Sequence, residues 1–306
     1  MMKKHFKKLV NLALTAVMVM GMSTTTFAKE SNNISNDTVT KTNNIIYSPE
    51  FPDAYIVTET SPAPNNYSLN NESKQLDTIT ATVFVEETLA TDKNEDIYVS
   101  NSRLLSKDEV ENIGIDNFSN INTMSTSRAA KRTYGKLTLT FSGSQSISGK
   151  SVSCKLNGNA NWDFGAFTSS EKNPAIGKDF MGITWSGLFT TNSSSCSATD
   201  LTGKVTYPTM VDSIANGGRV WSFEESLFED HFANYNKNIN ATINIKKNTM
   251  TGNGNTAEAV LKYIHTYQKT TGSVSMNVGS DSVSAGFTLS LSLIHISEPT
   301  RRRGIS

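Results

Sequence analysis

Four histidines, two cysteines and three tryptophans are the side chains of this 306-residue chain best suited to chemistry. A zinc site needs three or four N, S or O ligands, usually with two of them close in sequence. His5 lies in the first ten residues and His295 in an atypical tail, which leaves His231 and His265. Neither has a second His or Cys nearby, and no HExxH stretch occurs, so spacing points to no metal centre. His265 stands in Tyr263-Ile264-His265-Thr266-Tyr267, where a period of two puts it on the same face as both tyrosines. A satisfied strand histidine among aromatics is expected there, not a catalytic base. His231 follows Glu229-Asp230 and reads as a solvated loop residue.

The most acidic aromatic stretch runs from Trp221 to Asp230, directly after the Gly217-Gly218 turn. Trp221, Glu224, Glu225, Glu229 and Asp230 form a weak candidate site for a carbohydrate or a cation. The plainer reading is a strand passing into an exposed acidic loop. Two of these carboxylates could hydrolyse a glycoside only if they faced each other across a cleft, which spacing does not show. Trp162, Trp185 and Trp221 could stack on sugar rings if exposed, but indoles of a β-sandwich belong in its core.

Several motif-like stretches fail on geometry. Gly143 to Ser151 ends in Gly-Lys-Ser, but five residues separate its glycines where a phosphate loop needs four. Its flanks read as strands, so a hairpin turn is expected. Asp92-Lys93-Asn94-Glu95-Asp96 opens like a calcium loop, yet Ile97 takes the place of the turn glycine and Arg103 that of the bidentate glutamate. No GxSxG elbow occurs. No catalytic residue, metal ligand or cofactor is therefore expected. Cys154 and Cys196 are an even pair in a chain that reads as exported, and a disulfide between them is expected. It would close a loop of about 43 residues and restrict the unfolded chain by about 4 kcal/mol.

The elements that must carry these residues are mostly strands. Leu137, Leu139 and Phe141 alternate with Thr138, Thr140 and Ser142. Ile239, Ala241, Ile243 and Ile245 alternate with Asn238, Asn240, Thr242 and Asn244. Val274, Met276 and Val278, then Val283 to Leu291, repeat the pattern around a Gly279-Ser280-Asp281 turn. Further strands are expected over 151–157, 182–189, 202–207, 219–224 and 258–268. One wet and one dry face is the mark of antiparallel sheets. An all-β main domain follows for 133–292, an antiparallel β-sandwich of about eight or nine strands.

Ahead of it, residues 77–132 read as a small α+β module or propeptide plus linker. It has a strand from Thr78 to Val85, another at Ile97–Val99, and a short helix opened by a Ser106/Glu109 capping box. Val110 and Ile113 give that helix one apolar stripe, and Gly114 ends it. Arg128 to Arg132 reads as an ordinary exposed linker, with a protease site as the alternative. Residues 29–76, rich in Asn, Ser, Thr and Pro, read as a disordered spacer.

The two ends read differently from the rest. Lys3, Lys4, Lys7 and Lys8 precede an apolar run and the small residues Thr26 and Ala28, so residues 1–28 read as a signal peptide cleaved after Ala28. The long basic region suits a Gram-positive exporter. Residues 293–306 break the strand pattern and resemble a translated sequencing adapter, with a genuine basic tail at Arg301 to Arg303 as the alternative. Lysine plus arginine balance aspartate plus glutamate at 28 each. Without the two ends the net charge is about −6, which argues against nucleic acid as a partner. Low charge and a Ser, Thr and Asn content of roughly a third exclude a coiled coil and a highly charged disordered chain. These readings point to a secreted or cell-surface, non-enzymatic protein binding an extracellular glycan or protein. A β-pore-forming protein, the one reading with a membrane partner, is the first alternative. A carboxylate-dependent glycan hydrolase is the second.

Overall fold

The computed structural model describes residues 22–23, 42–48, 51–63, 73–91, 97–114, 131–164, 177–186, 189–200, 203–225, 236–248, 256–257, 259–265, 271–277 and 286–292. Ala28, the linker around Arg128, the calcium-like stretch 92–96, His231 and the tail after Ser292 lie outside them.

The larger sheet has ten strands. Its spatial order is β11 (Val205–Thr206), β10 (Thr190–Asp200), β14 (Asn236–Lys247), β8 (Ser151–Phe164), β7 (Lys131–Ser148), β5 (Thr78–Thr91), β3 (Phe51–Ser61) and β2 (Thr42–Ser48). Two short partners complete it, β4 (Ser73–Gln75) on β7 and β6 (Ile97–Leu104) on β5. The smaller sheet runs β12 (Thr209–Ile214), β13 (Gly218–Glu225), β9 (Gly177–Trp185) and β16 (Ala259–Ile264). Two further pairs are β1 (Met22–Ser23) with β15 (Thr256–Ala257), and β17 (Thr271–Asn277) with β18 (Gly286–Ser292). Every pairing is antiparallel, and the fold is an all-β sandwich.

The alternation in sequence becomes the two faces of the sheet. Leu137, Leu139 and Phe141 of β7, Leu156 and Trp162 of β8, and Ile239 and Ile243 of β14 share one core with Met181, Trp185, Trp221 and Leu261 of the smaller sheet. The sheets approach each other closely at Gly158, where a Cβ would sit 2.7 Å from Leu261 Cδ1 and 3.2 Å from Ile183 Cδ1. Glycine is needed there for that approach. The Gly-Lys-Ser stretch is the expected hairpin turn: Ser148 pairs with Ser151, and Gly149 takes φ +59°.

Two differences from the sequence reading concern the N-terminal side. Residues 42–48, 51–61 and 73–75, expected within the spacer, form β2, β3 and β4, with Ala54 and Ile56 of β3 in the main core. The boundary expected near residue 133 falls inside one sheet, because β5 pairs with β7 from Ile79↔Phe141 to Leu89↔Lys131.

The helix α1 (Lys107–Ile113) forms as expected. Ser106 Oγ accepts from the Glu109 backbone N–H, the Glu109 carboxylate accepts from the Ser106 N–H, and Gly114 at φ 84° ends it. It is not part of a separate module. Val110 packs with Phe84 and Leu105 on the outward side of the large sheet, beside Tyr55 and Tyr134. Arg103 holds the helix start through a two-pronged contact to Glu109 at 2.8 and 3.0 Å, and reaches Glu86 at 3.1 Å.

Candidate binding face

Away from α1, the outward side of the large sheet carries a grid of amides and hydroxyls. Strand register lines them up in rows. One row reads Thr80, Thr140, Asn159, Asn240 and Ser197 across β5, β7, β8, β14 and β10. The next reads Thr82, Thr138, Asn161, Asn238 and Thr199. A third reads Ser142, Asn157, Thr242 and Ser195. None of these rows contains a charge. Charges border them, with the Lys136–Asp163 ion pair at 3.2 Å on one side and exposed Lys155 and Lys246 on the other. The grid residues are half-buried or exposed.

Cross-strand hydrogen bonds order the grid. Asn159 Nδ2 donates to Asn238 Oδ1 at 2.9 Å and to Asn240 Oδ1 at 2.8 Å. Along β14 itself, Asn240 Nδ2 donates to Asn238 Oδ1 at 2.6 Å, and across strands Thr242 Oγ1 donates to Asn157 Oδ1 at 3.1 Å. Asn244 Nδ2 reaches Ser193 Oγ at 2.8 Å. An amide has two donor hydrogens and an acceptor oxygen with two lone pairs, so these contacts leave capacity facing solvent. The strands fix the side chains in place, which lowers the entropy lost when a ligand binds.

The acidic aromatic site reads differently in three dimensions. Trp221 is 2% exposed and belongs to the core, so its indole is not on a ligand surface. Trp162 and Trp185 are core residues too, as expected. Glu224 and Glu225 close β13 opposite Lys178 and Gly177, their side chains outside the described residues. Glu229 and Asp230 lie wholly outside them.

The expected disulfide between Cys154 and Cys196 is not formed: both are buried thiols. Cys154 faces Ile245 of β14, and Cys196 faces Ala241 on the other side of that strand. A whole strand and four residues of register therefore separate them, on the order of 16 Å from ordinary sheet spacings. A disulfide needs Cα atoms within about 7 Å. Burial pushes each thiol up to about 12, the state of inert core cysteines.

His265 is the satisfied strand histidine expected among aromatics, but its carboxylate partners were beyond sequence reading. His265 is fully buried between two carboxylates, with Nδ1 3.0 Å from Asp179 Oδ2 and Nε2 3.0 Å from Glu87 Oε1. Tyr263 Oη donates to the same Asp179 oxygen at 2.5 Å and accepts from Trp162 Nε1 at 2.9 Å. Glu87 and Trp162 come from the large sheet, the other three from the small one. The carboxylates sit on opposite ring nitrogens, so they do not converge on a point where a metal could bind both. Their separations from His265 in sequence, 86 and 178 residues, explain why no motif announces them.

No protein-family model matches the chain, and no curated protein matches it in sequence.

Proposed function

We propose that the chain is an exported protein that binds a neutral, hydroxyl-rich glycan without chemical change, through the outward grid on β5, β7, β8, β14 and β10. The observation that carries this reading is three adjacent rows of uncharged hydrogen-bonding side chains on an open sheet face. A neutral polysaccharide offers closely spaced donors and acceptors and no charge, which matches amides and hydroxyls. One such hydrogen bond contributes only about 0.5–1.5 kcal/mol net, so useful affinity needs many made together. A face spanning five strands supplies them. Amides and hydroxyls do not exchange protons readily at neutral pH, so the face suits holding a polymer better than cleaving it.

Retention of the chain on insoluble neutral polysaccharides, compared with acidic ones, tests the reading. Binding to a neutral polymer is expected, unchanged between low and high salt because no ion pairs form. No retention on any neutral polysaccharide, or retention abolished by salt, overturns it.

The pore-forming reading keeps one specific support. β17 and β18 form a hairpin in which Val274 pairs with Leu289 and Met276 with Phe287, while Ser275 pairs with Thr288. β18 lies beside β9 and β16. Both edges of β9 are occupied by β13 and β16, so β18 does not reach it by strand pairing. Phe180, Val220, Val260 and Ile264 are buried on the side of this sheet turned away from the shared core. An amphipathic hairpin held there and released onto lipid would cross a bilayer with strands. Leakage of dye from liposomes supports this second reading, and intact liposomes with no oligomer remove it.

A further inference from the structure

Proton counting at the buried histidine leads to a further property of the fold. Each ring nitrogen of His265 lies 3.0 Å from a carboxylate oxygen. A neutral imidazole carries a proton on one nitrogen only, and ionised carboxylates only accept. Asp179 Oδ2 already accepts from Tyr263 Oη. Two ionised carboxylates and a neutral ring would therefore set a nitrogen lone pair against a carboxylate lone pair. The geometry needs one further proton, on His265 Nε2 or on Glu87 Oε1. With it, both contacts are hydrogen bonds, and the cluster carries one net negative charge instead of two. A second buried net charge is costly in a medium that solvates poorly.

We propose that this proton is a pH-sensitive latch between the two sheets: the Glu87–His265–Asp179 bridge holds while the proton is bound and weakens when it leaves. Among the described residues, the groups facing His265 include Glu87 from β5, Asp179 from β9, the Tyr263 hydroxyl from its own strand and the Trp162 indole from β8. Glu86 points to the opposite side of β5, where it meets Arg103, and Lys262 has the opposite parity to Tyr263 on β16. The sign follows from the folded chain holding a proton that unfolding releases: stability is full at low pH within the window and declines as pH rises.

The test is urea unfolding of the chain from pH 7 to 8, below the range where the thiols of Cys154 and Cys196 ionise on unfolding, in wild type, Glu87→Gln and Asp179→Asn. In wild type, the unfolding equilibrium constant rises toward tenfold per pH unit while the folded chain holds the bridging proton and the unfolded chain has released it. A glutamine amide can donate to a neutral His265 Nε2, so Glu87→Gln keeps both contacts without the extra proton. Its pH dependence falls below about twofold per unit, and at pH 8 it is at least as stable as wild type. Asp179→Asn makes the same charge change, but its amide oxygen still accepts from Tyr263 and His265, and Glu87 still faces His265 Nε2. This variant keeps a pH dependence close to that of wild type, which Glu87→Gln loses. A flat wild-type profile, or parallel profiles for wild type and Glu87→Gln, overturns the latch. If Glu87→Gln does not fold, that also counts against it, since the account requires both hydrogen bonds to survive.

Discussion

The outward face of the large sheet holds many polar side chains in water, and its inward face holds a few away from it. Outside, Asn159, Asn238 and Asn240 bond to one another at the surface, and water can replace any contact that is lost. Inside, Glu87 and Asp179 meet His265 at positions buried from bulk solvent. The difference teaches where polar residues carry stability and where they are free for recognition. A net hydrogen bond at the surface is small because water competes, whereas an orphaned buried group bears its full desolvation cost. The outward rows are thus spare for a ligand, and the inward cluster is committed to joining the sheets.

That contrast can be broken by mutation. The largest effect is expected for Tyr263→Phe, which removes a donor from Asp179 and an acceptor from Trp162 Nε1. A loss of about 3 kcal/mol in urea unfolding is expected, since two buried groups lose a partner together. A loss below about 1 kcal/mol would show that the inner network is no more costly to disturb than the surface. Next comes Ser106→Ala, at the margin between the covered and open parts of the outer face. Loss of the Oγ contact to the Glu109 N–H is expected to cost about 1 kcal/mol, read as a shifted urea midpoint.

A smaller effect depends on pH. The Arg103 guanidinium, with the Ser106 backbone N–H, holds the Glu109 carboxyl down at about 2 from an ordinary 4.5. A lowered folded value means the contribution is present above 4.5 and fades as pH falls toward 2. Glu109 is substantially exposed, so solvent screening limits the pair to at most about 1 kcal/mol. The stability gap between wild type and Arg103→Gln should be constant near neutrality and close as pH drops through that interval. The smallest effect is expected for Asn240→Ala on the open face, below about 0.5 kcal/mol by the same unfolding measurement.

Much of the architecture could be read from sequence where large apolar residues alternate with polar ones. Leu137 to Phe141 and Ile239 to Ile245 announced β7 and β14, and Ser106 with Glu109 announced α1. β10 was not legible because its buried inward positions are Cys196, Ala198 and Asp200, too small or too polar to give a hydrophobic period. β3 was read as spacer because Pro52 and its threonines outweigh the few apolar residues it buries. The grid was half legible: each strand's polar face was plain, but Asn159 meets Asn238 and Asn240 only through a register set some 80 residues away. The disulfide failed for the same reason, since counting cysteines says nothing about the strand that lies between them.

The most direct measurement is a binding isotherm on a neutral polysaccharide that retains the wild-type chain. It is compared with a variant stripped along one row, Thr140→Ala with Asn159→Ala and Asn240→Ala. Three lost side-chain hydrogen bonds at about 0.5–1.5 kcal/mol each predict at least a tenfold weaker Kd, with the variant still folded. Unchanged affinity in a folded variant would contradict the assignment of the outward face as the binding surface.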